Sequence, residues 1–453
     1  LGAGGIGMSA LARYFNAKGH QVSGYDKTPT PLTEALIAEG VNIHFEDNVK
    51  AIPQEVLDNP DKTLVVLTPA VPKDHSELNF FRENNFTIKK RSEVLGLVAG
   101  QAYTIAVAGT HGKTTTSSMV AHLLNDCGVN CSAFLGGISV NLESNLLIGE
   151  TENGKDIVVV EADEYDRSFL TLHPDIAVVT STDADHLDIY GDKDHLVHSF
   201  RDFVSQIRPN GTLIINKNAD QQILEKIDPS VRVITYSLES GDLHAGKITI
   251  DKHTFLFDIK SPLGDLENMA LPVPGFHNVE NAMAACLAAQ LLGESPEKIR
   301  LGLQKYKGVK RRFEFVSEGK DYVYIDDYAH HPREIEALLN SLKALYPGKK
   351  IKVIFQPHLF SRTRDFADGF AESLSQADEL VLLPIYPARE KPIEGVTSDL
   401  LLRKINLPEK ALFSKEEVLE NLRTNRNFDV LATVGAGDID TLVKPIKNIL
   451  ENR

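Results

Sequence analysis

YTIAVAGTHGKTTTSSMVAHLLND, residues 103–126, decides the architecture. YTIAVA reads as a buried strand, GTHGKTT as a turn that needs glycine, and TTSSMVAHLLND as a helix. Strand, glycine loop and helix in that order make a phosphate cradle. Glycines let backbone N–H groups turn inward, and the helix N-terminus adds partial positive charge. The candidate set is Gly109, Thr110, His111, Gly112, Lys113, Thr114 and Thr115. Lys113 is expected to reach the β/γ oxygens and Thr114 to hold Mg2+. Val107 stands where GxxxxGK[ST] would have its first glycine, so the loop is the shorter GxxGKT. A mere glycine turn with an exposed lysine is the poorer reading, because strand, loop, Lys-Thr and helix all agree.

Working outward, IVVVEA at 157–162 reads as a neighbouring strand that ends in Glu161 and then Asp163. Parallel sheets gather ligand sites at such ends, and a phosphate loop needs a metal-binding carboxylate there, with Glu161 the stronger candidate. The next strand runs into TSTDADHLDIYG, which brings Asp185, His186 and Asp188 to the same edge and makes His186 a candidate metal ligand. Upstream, Gly2, Gly4 and Gly7 satisfy GxGxxG, with Asp26 about twenty residues further on. That pattern fits a dinucleotide, but the same turn suits any diphosphate.

The 453 residues exceed one usual core, and alternating strand and helix signals divide them into three α/β segments: 1–100, 101–308 and 309–453. In the first, VSGY, VNIHF and LVVL are expected to share a parallel sheet. The second ends in antiparallel strands near 247–259 and a helix from Asn278 to Leu292, and the third has strands at 322–326, 351–355, 379–383 and 429–434. Hydrophobic residues make up 42% and charged residues 25%, with no apolar run of membrane-spanning length, so a soluble globular protein without membrane insertion is expected. A net charge of −15 argues against broad nucleic-acid binding. Three cysteines, Cys127, Cys131 and Cys286, without a CxxC pair, read as buried thiols of a cytoplasmic chain. The chain opens at Leu1 directly into the glycine turn, so a short preceding strand is expected, and no signal peptide is visible.

LGAGGIGMSALARYF, AGTHGKTTT, VVEADEYDRSFL, DADHLDIYG, PGFHNVENAMAA, GVKRRFE, DDYAHHPREI, FQPHLFSRTRDF, PIYPARE and VGAGDI, in this order along essentially the whole chain, resemble the Mur ligases, the ATP-dependent amino-acid ligases of peptidoglycan synthesis. The resemblance implies a Rossmann-like UDP-binding domain, a central P-loop ATPase domain and a C-terminal Rossmann-like domain for the amino acid. Within the family, the motif wording points to members that add L-alanine to the lactyl carboxylate of UDP-N-acetylmuramate. It implies ATP as substrate, Mg2+ as cofactor on Thr114, Glu161 and His186, and a monomer or weak homodimer. His277, Asn278 and Asn281 would contact adenine, and Arg311 and Asp327 would serve ATP. Tyr328 and His330 would face the amine. Gly4, Gly5, Ile6, Gly7, Met8 and Asp26 would hold the UDP-sugar.

The implied chemistry is attack of the carboxylate on the γ-phosphate, then displacement of phosphate from the acyl phosphate by the amine. Lys113, Glu161, His186 and Arg311 would neutralise charge in the first step, and His330 would accept a proton in the second. The other reading of His330 is a cap for the helix REIEALLNSL.

Two positions depart from the family pattern. Leu359 stands where alanine-adding members carry an arginine for the amino-acid carboxylate, which leaves Arg362 and Arg364 for that task. Arg201 falls near the place of a carbamoylated lysine in sister ligases, so that modification is not expected. The rivals are a ligase that attaches a preformed peptide to the same sugar nucleotide, and a nucleotide-gated binding protein without turnover.

Overall fold

A strand as apolar as Tyr103–Ala108 is stable only where both faces are covered. In the computed structural model, which describes residues 1–150, 156–184, 190–388 and 390–452, it lies mid-sheet with residues 105–108 fully buried. The chain divides into two compact units: residues 1–246, 259–267 and 281–303 form one, and the remainder forms the other.

In the first unit the sheet runs Leu243–Ala245, Arg232–Ser237, Thr212–Asn216, Ile176–Val179, Tyr103–Ala108, Ile157–Glu161, Cys131–Ser139, Ser144–Leu147. All neighbours are parallel except the final pair, which is antiparallel. The strands beside Tyr103–Ala108 therefore deliver residues 161–164 and 180–183 to the edge where the glycine loop begins. Helix Lys113–Cys127 is buried along most of its length against this sheet.

The first hundred residues do not form one continuous sheet. Ser23–Tyr25 pairs with Asn42–His44, and Leu64–Leu67 pairs with Thr87–Lys90, as two separate parallel ribbons. Leu1 N bonds to Val66 O at 2.7 Å, while the amides of Gly2 and Ala3 bond to Tyr25 O at 2.8 and 2.9 Å. Helix Ile6–Ala17, which follows the turn, is tied to the central sheet by the fully buried Asn145. Its amide donates to Ile6 O at 2.5 Å and Ser9 Oγ at 3.0 Å, and its carbonyl accepts from Arg13 at 2.7 Å.

The second unit holds a six-stranded sheet: Glu314–Glu318, Val323–Asp327, Val430–Val434, Ile351–Phe355, Glu379–Leu382, Lys410–Leu412, parallel except for its first pair. Side-chain alternation sends Ile325, Val353, Leu380 and Ala432 to one core and Tyr324, Ile354, Val381 and Leu431 to the other. The antiparallel hairpin expected near 247–259 is present as Thr249–Asp251 against Thr254–Lys260, and the expected helix is Phe276–Leu291. Cys127, Cys131 and Cys286 are buried thiols. Among the described residues no helix is long and apolar enough to cross a membrane.

Candidate active site

The glycine loop is held from behind by the end of the strand Ile176–Val179. Ser181 Oγ accepts from His111 N at 2.8 Å and lies 2.9 Å from Thr110 Oγ1, which also accepts from Asp183 N at 3.0 Å. The side chain of Thr110 is thus spent on the scaffold. His111 Nε2 lies 3.6 Å from Asp183 Oδ2. Gly112 has φ 80°, and a Cβ there would stand 2.8 Å from Asn281 Oδ1, which accepts from Thr116 Oγ1 at 3.0 Å. Asn281 therefore braces the loop and the helix that follows it.

Lys113 Nζ lies 2.9 and 2.8 Å from the two oxygens of Glu164 and donates to Gly109 O at 2.7 Å. Burial works to lower the ammonium's pKa, but Glu164, then Asp163 and Glu161, outweigh it and hold the pKa above its ordinary value. Burial, reinforced by Glu164, pushes the Asp163 carboxyl up against the pull of Lys113 and Arg91. Glu161 Oε2 accepts from Gly136 N at 3.0 Å. Three carboxylates around one lysine are the hard, anionic oxygen environment that suits Mg2+. Glu161 and the buried Thr114 supply the right donor types, while His186 lies outside the described residues. Among the described residues no group of three His, Cys, Asp or Glu forms a metal cluster. Arg201 is paired with Glu225 at 2.5 Å.

At the first glycine turn, both oxygens of Asp26 are engaged by backbone: Oδ2 accepts from Gly4 N at 2.7 Å and Oδ1 from Thr28 N at 3.1 Å. Helix Ile6–Ala17 has Gly5 as its N-cap with no side-chain cap, so its first amides are available to an anion. Met8 is buried and serves the core. A Cβ on Gly7 would lie 2.9 Å from Arg91 Nη1, so the third glycine makes room for that side chain.

In the second unit Arg311, with φ 61°, spreads its guanidinium over Asp326 Oδ2 at 3.2 Å, Gly435 O at 2.7 Å and Asp440 Oδ2 at 3.5 Å. The ring of Tyr328 lies 5.2 Å from Arg311 and 4.9 Å from Arg312. Asp327 accepts from Phe313 N and Ala329 N, each at 2.7 Å. Burial pushes its carboxyl up to about 6, although Arg312 and those two amides pull it down.

His330 Nδ1 lies 3.0 Å from Tyr328 O and 3.3 Å from Glu334 Oε2. His331, not His330, caps helix Pro332–Leu345, with its side chain accepting from Arg333 N. The rings of His330 and His358 are 6.2 Å apart, His358 stacks on Tyr386 at 5.7 Å, and the buried Arg362 reaches His358 Nδ1 at 3.2 Å. Arg364 does not join them: it is exposed and bound to its own neighbour Asp365 at 2.7 Å. Leu359 has φ 70° and donates its N–H to Tyr386 O at 2.9 Å. His277 and Asn278, on helix Phe276–Leu291, are also in this unit. Asn278 donates to Pro274 O at 2.6 Å, and burial pushes the His277 imidazole down to about 4. Glu164, Arg91 and His358 carry no motif signal that singles them out in the sequence. The second glutamate of EADE and the histidine of QPH stood inside quoted motifs, while Arg91 had no local signal.

Three family models match in succession: "Mur ligase family, catalytic domain" over residues 1–103, "Mur ligase middle domain" over 107–289, and "Mur ligase, glutamate ligase domain" over 311–437. The UDP-N-acetylmuramate–L-alanine ligase of Cytophaga hutchinsonii is 49% identical, covering 100% of this chain and 96% of that protein. Its counterpart in Parabacteroides distasonis is 50% identical, covering 99% and 96%. Among solved structures, the UDP-N-acetylmuramate–alanine ligase of Thermotoga maritima aligns with TM-score 0.79 at 28% identity over 100% of this chain and 97% of that one. A murein peptide ligase from Psychrobacter arcticus shares the fold, with TM-score 0.72 at 24% identity over 99% and 98%. With the motifs, the α/β architecture and full-length relatives in agreement, this chain belongs to the Mur ligase family.

Proposed function

We propose that this chain is an ATP-dependent ligase that joins L-alanine to the lactyl carboxylate of UDP-N-acetylmuramate through an acyl phosphate. The products are ADP, phosphate and UDP-N-acetylmuramoyl-L-alanine, a peptidoglycan precursor. The observation that carries this reading is the buried Lys113 in its GxxGKT loop, within a chain that matches alanine ligases over its full length at about one-half identity. Residues 1–100 are assigned to the UDP-sugar, 101–308 to ATP and 309–453 to the amino acid, in a cytoplasmic monomer or weak homodimer.

In this reading Lys113 and Arg311 offset the charge that develops as the carboxylate attacks the γ-phosphate. Thr114, Glu161 and His186 would hold Mg2+, which supplies further neutralisation and alignment when bound. His330 accepts the amine's proton. A hydrogen on Nδ1 directed at Tyr328 O leaves the other ring nitrogen as the basic one. The buried Arg362 beside His358 is assigned to the amino-acid carboxylate in place of the family's arginine, where Leu359 stands. The test mixes the purified chain with ATP, Mg2+ and UDP-N-acetylmuramate and compares phosphate release with L-alanine, glycine, L-serine and an L-Ala-D-Glu-containing tripeptide. Release with L-alanine is expected; release with the tripeptide alone would overturn the assignment.

A further inference from the structure

Arg91 opens helix Arg91–Gly100, far in sequence from both glycine loops, yet it touches the surroundings of each. Its Nη1 and Cδ would stand 2.9 and 3.0 Å from a Cβ built on Gly7, so the side chain lies directly over the first turn of helix Ile6–Ala17. On the other side its Nη2 is 3.7 Å from Asp163 Oδ2, beyond hydrogen-bond distance. Among the described residues no acceptor takes any of its five N–H donors, although only 22% of the side chain is exposed. Its guanidinium nitrogens keep contact with solvent, which an anion arriving at the turn would replace with charge-assisted hydrogen bonds. The partner that fits is dianionic and arrives at the Gly2–Gly7 turn, where uncapped amides already await an anion.

Resting on the ligase reading, we infer that Arg91 binds the diphosphate of the nucleotide-sugar, exchanging its loose contact with Asp163 for charge-assisted hydrogen bonds to phosphate oxygens. The fork of the guanidinium matches two oxygens of one phosphate, which an ammonium does not. Gly7 has a second role in consequence: any side chain there would push the fork away from the turn. Because Asp163 also faces Lys113, diphosphate binding removes one positive neighbour from the carboxylate cluster at the phosphate loop.

The test compares binding of UDP and of uridine to the full chain by calorimetry, for the parent, Arg91→Met and Arg91→Lys. The parent is expected to prefer UDP, and Arg91→Met to lose about 10- to 100-fold of that preference, the worth of one charge-assisted hydrogen bond or a pair. Uridine affinity should stay within about twofold, with Arg91→Lys intermediate because it keeps charge and loses the fork. An unchanged UDP-to-uridine ratio in Arg91→Met, or a parallel loss of both ligands, would overturn the assignment alone. Failure of the parent to bind UDP at all would overturn the ligase reading with it.

Discussion

Both carboxylate oxygens of the fully buried Glu164 lie within 2.9 Å of Lys113 Nζ, so the ammonium of the glycine loop has a buried counter-ion. Lys113→Ala is expected to cut ATP-dependent phosphate release by about a hundred- to a thousandfold. It also strands a buried carboxylate and should lower unfolding stability by about 3 kcal/mol. Lys113→Ala combined with Glu164→Gln should recover much of the stability and none of the activity. Denaturant titration beside a phosphate-release assay separates the two effects, and near-normal turnover in Lys113→Ala would sink the assignment of the loop.

Gly136 presses its backbone against Glu161. A Cβ there would come within 2.2 Å of one carboxylate oxygen and 2.3 Å of the other, so Gly136→Ala must turn the Glu161 side chain aside. If Glu161 holds Mg2+, the Mg2+ concentration for half-maximal activity should rise about tenfold while the melting temperature changes little. Unaltered Mg2+ dependence would remove Glu161 from the metal site.

Asp327 carries a pH signature. Burial raises its folded pKa from 3.8 to about 6, so between those values the folded chain binds a proton that the unfolded chain has released. The contribution of this group to stability is therefore present at low pH and is lost as pH rises toward and through 6. Urea midpoints measured from pH 4 to 7 should show this decline in the parent and not in Asp327→Asn. Parallel profiles would refute the raised pKa.

Asn145 ties the helix of the first glycine turn to the central sheet. Asn145→Ala deletes its bonds to Ile6 O, Ser9 and Arg13, and should cost about 1–3 kcal/mol. Because Ile6 begins the helix that follows the turn, KM for the sugar nucleotide should rise more than KM for ATP. Equal rises would argue against a local effect on the turn.

What was legible from sequence was local. Residues 103–126 announce strand, loop and helix because apolar run, glycines and helical spacing follow one another without interruption. Glu164 was not legible: which acid of EADE turns inward depends on a tight 3-10 stretch at Tyr165–Thr171, where Asp166 and Arg167 both take positive φ. The Asn145–Arg13 contact spans 132 positions, and no periodicity reports such a distance. His330 and His331 are neighbours of one type. Only backbone direction decides that His331 caps the helix while His330 turns toward Tyr328 and His358. Arg362 and Arg364 separate for the same reason, one directed inward from helix Phe360–Asp365 and the other outward. The strained backbone at Leu359 has no sequence counterpart, since leucine ordinarily avoids that conformation.

The buried cysteines carry a practical consequence. Cys127 ends the phosphate-loop helix, Cys131 begins a strand of the central sheet, and Cys286 lies on helix Phe276–Leu291. Burial pushes the Cys131 thiol up to about 12 and the Cys286 thiol higher still, so neither offers a thiolate to reagents while the chain is folded. Alkylation then proceeds only through excursions that expose each sulfur. The three sites become native stopwatches, and mass spectrometry of the labelled peptides can time how often each part of the nucleotide-binding framework opens, with no engineered probe.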